Sequence, residues 1–204
     1  MTTADIPQTD DAERPLRADA RRNRERILEG ARAVFSESGA EAQMDDVASR
    51  AGVGVGTVYR HFPTKEALLT ELVRQKFVLM AEVARSALDI DGEPFEVLED
   101  VLRRNATSTA EDAGMQYAIA NLGEQAWTQA PVEQDELLAA IGDLVERARR
   151  TGTIRPDIEA TDIGMLMCGV CASMGSKPGF DWRRHLDLAV DVLRPLEQPQ
   201  PRSS

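Results

Sequence analysis

The chain has 204 residues, 42% of them hydrophobic and 29% charged, with a formal net charge of −11. That length supports a buried core, no apolar run reaches the ~18–20 residues of a membrane span, and residues 1–17 lack the apolar stretch of a secretory signal. A water-soluble cytoplasmic protein with no membrane partner is therefore expected, and two cysteines are too few for a disulfide scaffold.

In chain order, residues 1–16 read as an untethered tail, with Pro7, Pro15 and several Asp. A first helix is expected from about Asp19 to Ser38, where Ile27, Ala31, Val34 and Phe35 recur on one face and Gly39 stops it. Two short helices follow, about 44–51 and 55–62, with Gly52 between them. Pro63 interrupts the chain and Thr64 caps a long helix reaching about Leu88. Helices near 95–112, 115–127, 131–150, 159–175 and 181–194 complete the set, with Pro94 and Pro131 placed as first-turn prolines. Residues 196–204 read as a second tail. Strand signals are missing, so the expected fold is all-α, about nine helices. A helix-turn-helix domain at 17–64 is joined to a larger helical domain at 65–195.

The excess negative charge is unevenly placed. Residues 17–80 hold 11 basic and 9 acidic side chains, whereas residues 81–204 hold 12 and 22. One locally basic segment in an acidic protein is compatible with nucleic-acid binding at that end. The informative stretch is Gln43 to Phe62, QMDDVASRAGVGVGTVYRHF. Two short helices joined by a glycine-containing turn form the helix-turn-helix pattern. Ala48 lets the helices cross closely, and Gly52 can take the left-handed conformation of the tight turn. Val47, Val53 and Val58 lock the crossing, with Phe62 closing the core against Phe35 and Leu68. Thr57, Tyr59, Arg60, His61 and Lys65 then line up to meet phosphates, and Arg21, Arg22, Arg24 and Arg26 crowd the start of the first helix. Cations at a helix N-terminus oppose its dipole, a conflict that an external phosphate would resolve.

These residues resemble the TetR family of regulators. The resemblance rests on Ile27, Leu28, Ala31, Val34, Phe35 and Gly39, then Asp46-Val47-Ala48, Ala51-Gly52-Val53, Gly56 to Phe62, Lys65 and Leu68. It covers about Arg21 to Lys76. It implies a homodimeric repressor that holds a near-palindromic double-stranded DNA operator and is released by a small-molecule effector. By the same resemblance Gln43 caps the first helix of the motif, and Thr57, Tyr59, His61 and Lys65 are phosphate contacts. Met44, Gly54, Val55 and Arg60 complete the expected DNA-facing set. Gly54 and Val55 stand where many relatives carry a base-reading polar residue, so specificity is expected to lean partly on DNA shape. The resemblance also implies an effector pocket in the C-terminal helices, for which Met115, Tyr117, Trp127, Met165 and Met174 are the candidates. The dimer is expected through helices 159–175 and 181–194, where Gly164, Gly169, Ala172 and Ser173 permit close approach.

Gly52, Gly54 and Gly56 do not make a dinucleotide fingerprint, because Thr57 stands where its third glycine belongs and no strand precedes it. Cys168 and Cys171 have no second cysteine pair and no nearby histidine, so they read as small core residues at a close helix contact rather than metal ligands. No catalytic motif is present and no cofactor is expected. Two other readings remain: a ligand-binding or interaction protein whose motif no longer grips DNA, and an α-helical enzyme. A convergent set of titratable groups would mark the enzyme, and none is found.

Overall fold

The computed structural model of the chain describes residues 10–123, 125–174 and 179–195, with side chains from residue 18 onward except those of residues 126 and 127. Among them every regular element is helical: α1 (Asp10–Ser38), a 3-10 turn (Gly39–Glu41), α2 (Met44–Ala51), α3 (Val55–His61) and α4 (Lys65–Ala87). These are followed by α5 (Pro94–Ala110), α6 (Ala113–Leu122), α7 (Gln125–Thr128), α8 (Pro131–Arg150), α9 (Ala160–Ser173) and α10 (Trp182–Asp191). The chain divides into two compact units, residues 1–69 and 70–204, with the boundary inside α4.

In the first unit α1 starts at Asp10, well ahead of the expected start near Asp19, so residues 10–16 of the expected tail belong to it. The helix runs through Pro15, and beyond it the Ala- and Arg-rich run favours helix, with ion pairs Arg22–Asp19 and Arg21–Glu25 (3.9 Å) along it. Ile27, Leu28, Ala31, Val34 and Phe35 bury the face that their spacing marks out. Val47, Val58, Phe62 and Leu68 close the core with them. α1 and α2 approach so closely at Gly30 that an added Cβ would meet the Ala51 nitrogen at 3.1 Å. Across the same contact the Arg50 guanidinium grips both carboxylate oxygens of Glu37, one at 3.0 Å. α4 starts on the expected cap, with Ala67 N–H donating to Thr64 Oγ1 at 3.0 Å.

The second unit repeats this logic. Pro94 opens α5, and the Glu93 carboxylate accepts from Phe95 N–H at 3.1 Å and Glu96 N–H at 2.8 Å. Asp112 and Asp181 cap α6 and α10. The helix expected over 115–127 is two helices, because Gly123 takes φ +53° and ψ −129°, which ends α6. Phe95, Leu98, Val101, Leu144, Ile154, Val170, Val190 and Leu193 lie in one buried cluster. Around it Arg103, paired with Glu99 on its own helix (2.8 Å), joins α5 to α10 through Asp187 (2.7 Å), and Arg74, paired with Glu71 on its own helix, joins α4 to α8 through Glu133. None of the described helices is long and apolar enough to cross a membrane.

Candidate nucleic-acid interface and effector cavity

The turn between α2 and α3 is built by Gly52, at φ +62° and ψ 40°, whose N–H donates to the Ala48 and Ser49 carbonyls. This left-handed cap needs no side chain and would strain any other residue. Val53 N–H donates to the Ala48 carbonyl at 3.0 Å, which completes the stop and turns the chain sharply. Arg26 Nη2 donates to the Gly52 carbonyl at 3.0 Å and ties the turn to α1.

α3 then has two unlike faces. Val58 is fully buried, whereas Gly54, Val55, Gly56, Tyr59 and Arg60 are exposed and Thr57 and His61 half-buried. Tyr59 is 46% exposed although it is aromatic. A Cβ at Gly56 would touch nothing within 4 Å. The exposed residues therefore form a surface with a smooth, narrow centre flanked by a phenol and a guanidinium. Arg60 folds along its own helix, donating from Nε to the Gly56 carbonyl at 3.1 Å and from Nη2 to Thr57 Oγ1 at 3.4 Å.

Three expectations change here and one holds. Met44 is 6% exposed and its side chain belongs to the core, because it opens α2 on the face turned toward α1. Gln43 caps α2 as expected, in a capping box in which its N–H donates to Asp46 Oδ2 at 2.9 Å, and its side-chain Nε2 donates to the Glu41 carbonyl. Lys65 is half-buried, with Nζ donating to the Ala42 carbonyl at 2.8 Å and lying 5.4 Å from the Phe35 ring centre. Its ammonium is thus part of the domain's own frame. The Arg21–Arg26 cluster lies in the middle of α1, not at its N-terminus, so the dipole conflict disappears. Within it the Arg24 guanidinium sits 4.7 Å above the Phe62 ring, and Arg26 holds the turn. Sequence spacing missed these roles because their partners lie 23 to 38 positions away.

The second unit encloses a cavity of about 90 Å³. Phe77 and Met80 of α4, Leu102, Asn105, Ala106 and Thr109 of α5, and Met115 and Ile119 of α6 form part of its wall. Leu137, Leu138 and Ile141 of α8 complete it with Ala160, Ile163, Gly164, Met167, Cys168 and Cys171 of α9. Of the five expected pocket residues, Met115 is in the wall. Met165 is 67% exposed and points away from the cavity, and Tyr117 and Met174 are not in its wall; Met174 belongs to the buried cluster. The side chain of Trp127 lies outside the described residues. α9 is apolar on nearly all sides, so spacing alone could not say which of its methionines faces inward.

Both cysteines line the cavity rather than a bare helix contact. Burial pushes the Cys168 thiol up, and burial pushes that of Cys171 to about 11. Both are therefore neutral thiols with little nucleophilic character. Gly164 and Gly169, expected at a contact between copies, lie against Leu138 of α8 and His185 of α10 in the same chain. Among the described residues no cluster of three or more His, Cys, Asp or Glu could hold a metal.

A helix-turn-helix with an exposed α3 face in one unit and an apolar cavity in the other are the parts of a one-chain DNA-binding regulator. Residues 27–72 match the family of bacterial regulatory proteins named for tetR, and residues 93–195 match the C-terminal domain of SbtR-like transcriptional regulators. The chain is similar to the transcriptional repressor KstR of Mycobacterium tuberculosis, at 33% identity over 89% of this chain and 86% of that one. Among solved structures it is similar to a TetR regulatory protein of Mycobacterium vanbaalenii, at 37% identity and TM-score 0.62, covering 88% of this chain and 99% of that one. It is similar also to Thermus thermophilus FadR, a repressor solved with lauroyl-CoA, at 25% identity and TM-score 0.63, covering 88% and 100%. The chain belongs to the TetR family and is a transcription regulator, not an enzyme.

Proposed function

We propose that the protein is a homodimeric repressor whose two α3 helices hold a near-palindromic operator and let go when a small molecule enters the cavity of the second unit. Residues 17–64 form the DNA-binding part in this reading, and residues 65–195 form the effector-binding and dimerisation part. The observation that carries it is the outward face of α3. Val58 anchors the helix while Val55, Gly56, Tyr59 and Arg60 stand in solvent, where a major groove can receive them.

In the complex Thr57, Tyr59 and His61 fix the helix on the phosphates, and backbone N–H groups near Gln43, Met44 and Gly54 add to that grip. Val55 meets a thymine methyl, and Arg60 swings off the Gly56 carbonyl toward a guanine edge. A two-fold dimer sets the half-sites ~34–36 Å apart. Its interface is the exposed apolar surface of α9 and the C-terminal end of α10, where Met165, Leu188 and Val192 are uncovered.

Release follows from the size of the cavity. About 90 Å³ is less than the roughly 150 Å³ of an apolar cavity that binds benzene. A ligand must therefore spread its walls, and Met80, Met115 and Met167 are the adaptable parts. Phe77 and Met80 lie on α4, the helix that continues into the first unit, so dilation displaces the recognition helices. A hundredfold loss of DNA affinity needs about 2.7 kcal/mol of preference for the dilated state. That similar proteins include a repressor and a repressor solved with lauroyl-CoA supports a ligand-binding regulator.

The test is a selection of random duplexes on the purified protein, followed by gel-shift with Tyr59→Ala. The selection is expected to return a near-palindrome, and the variant to bind every duplex roughly 1–2 kcal/mol more weakly. No duplex retained at low salt would refute the reading in favour of a binding protein whose motif no longer grips DNA.

A further inference from the structure

The cavity wall is almost entirely apolar, and that makes its exceptions informative. No Lys, Arg, His, Asp or Glu is among the described residues that line it. Its two thiols stay protonated because burial raises both. Lys76, a buried cation on α4, donates from Nζ to Ser108 Oγ at 2.7 Å and is not in the wall. The wall's hydroxyl, Thr109, donates to the Asn105 main-chain carbonyl at 2.9 Å, so its proton is spent on its own helix.

Asn105 remains. It is 8% exposed and borders the cavity, and its carboxamide has no hydrogen-bond partner among the described residues. Its amide atoms are not sealed off, so a small polar group that enters the cavity can reach them. A carboxamide offers two N–H donors and one carbonyl acceptor. A ligand carbonyl can take the first, and a ligand hydroxyl can use both. An ionised ligand group would lose its hydration in a wall that carries no charge of its own, and the nearest cation, Lys76, which acts on the Cys171 thiol, is already bonded to Ser108.

We propose that the effector is a compact, uncharged, mainly apolar molecule with one carbonyl or hydroxyl group, which Asn105 hydrogen-bonds inside the cavity. This rests on the effector-release reading above and specifies the ligand class for the same cavity. Asn105 is the residue that separates such a molecule from a pure hydrocarbon, because a site built to pair a polar group is left unpaired by the analogue that lacks it.

Four probes of one size test it: cyclohexanone, cyclohexanol, cyclohexane and cyclohexanecarboxylate. Binding to the full-length protein is read by calorimetry and by ligand-dependent melting. Cyclohexanone and cyclohexanol are expected to bind at least about tenfold more tightly than cyclohexane, a difference of about 1.4 kcal/mol, and the carboxylate not at all. Asn105→Leu removes no existing hydrogen bond, so it should melt no lower than the native protein while binding ketone and hydrocarbon equally. Should that variant not fold, the native Asn105 side-chain amide resonances decide, since they must move with cyclohexanone and stay still with cyclohexane.

Tighter binding of the carboxylate, abolished by Lys76→Met, would overturn the proposal, as would ketone affinity unchanged by Asn105→Leu or no binding of any uncharged probe. The DNA selection is read separately. Its failure with the probe ranking intact sinks the repressor reading alone, and the reverse pattern sinks only the ligand class.

Discussion

Replacing Lys65 with methionine keeps most of the side chain's length and removes its ammonium. In the structure that ammonium donates to the Ala42 carbonyl at 2.8 Å and reaches the Ala40 carbonyl at 3.5 Å, beside the Phe35 ring. A hydrogen bond from a charged donor contributes roughly 1.5–3 kcal/mol, and Ala42 is buried, so water replaces the lost donor poorly. Half-exposure of Lys65 argues for the lower part of that range, about 2 kcal/mol. For a chain of this size the loss lowers the melting temperature by about 4–8 °C. A phosphate contact would behave differently: each one lost changes the slope of log K against log salt by about 0.9. Lys65→Met is therefore expected to melt earlier, with the salt slope of operator binding unchanged. Circular-dichroism melting and a gel-shift salt series measure the two effects independently. A native melting temperature with a slope reduced by about one would refute the internal role and restore Lys65 as a phosphate contact.

Gly52→Ala places a Cβ at φ +62° and 2.6 Å from Arg26 Nη2. The left-handed backbone alone costs roughly 1–2 kcal/mol, so thermal melting should show a loss of at least that size. The Arg50 guanidinium holds the Glu37 carboxyl below the usual range, chiefly through their hydrogen bonds. A depressed folded value means that the stabilisation is present above the ordinary glutamate range and is lost as the pH falls through the lowered one. Glu37→Gln should accordingly flatten the acid side of the stability profile and leave its alkaline side parallel to that of the native protein; identical acid limbs would count against the pairing. Met165→Asp, on an exposed apolar face, is expected to shift the sedimentation profile from dimer toward monomer with little change in helix content.

The local architecture of the first unit is legible in its residues alone. Helix periodicity, Gly52 at the turn, the Thr64 cap and the apolar face of α1 are relations within a few residues, and neighbours three or four positions apart share a helix face whatever surrounds them. The helix-turn-helix and its exposed Tyr59 follow from that. Roles that depend on distant partners emerge with the packed chain. Lys65 and Arg26 carry charges that their neighbours in sequence do not claim, and the carbonyls of Ala42 and Gly52 claim them only after the chain has folded. The cavity is the clearest case. On α9 almost every side chain is apolar, so the sequence marks no inward face, and packing against α5 and α8 turned Met167 and Cys171 inward and left Met165 in solvent. Asn105, polar on α5, acquires meaning only because the folded helices bring it to the wall of an apolar cavity.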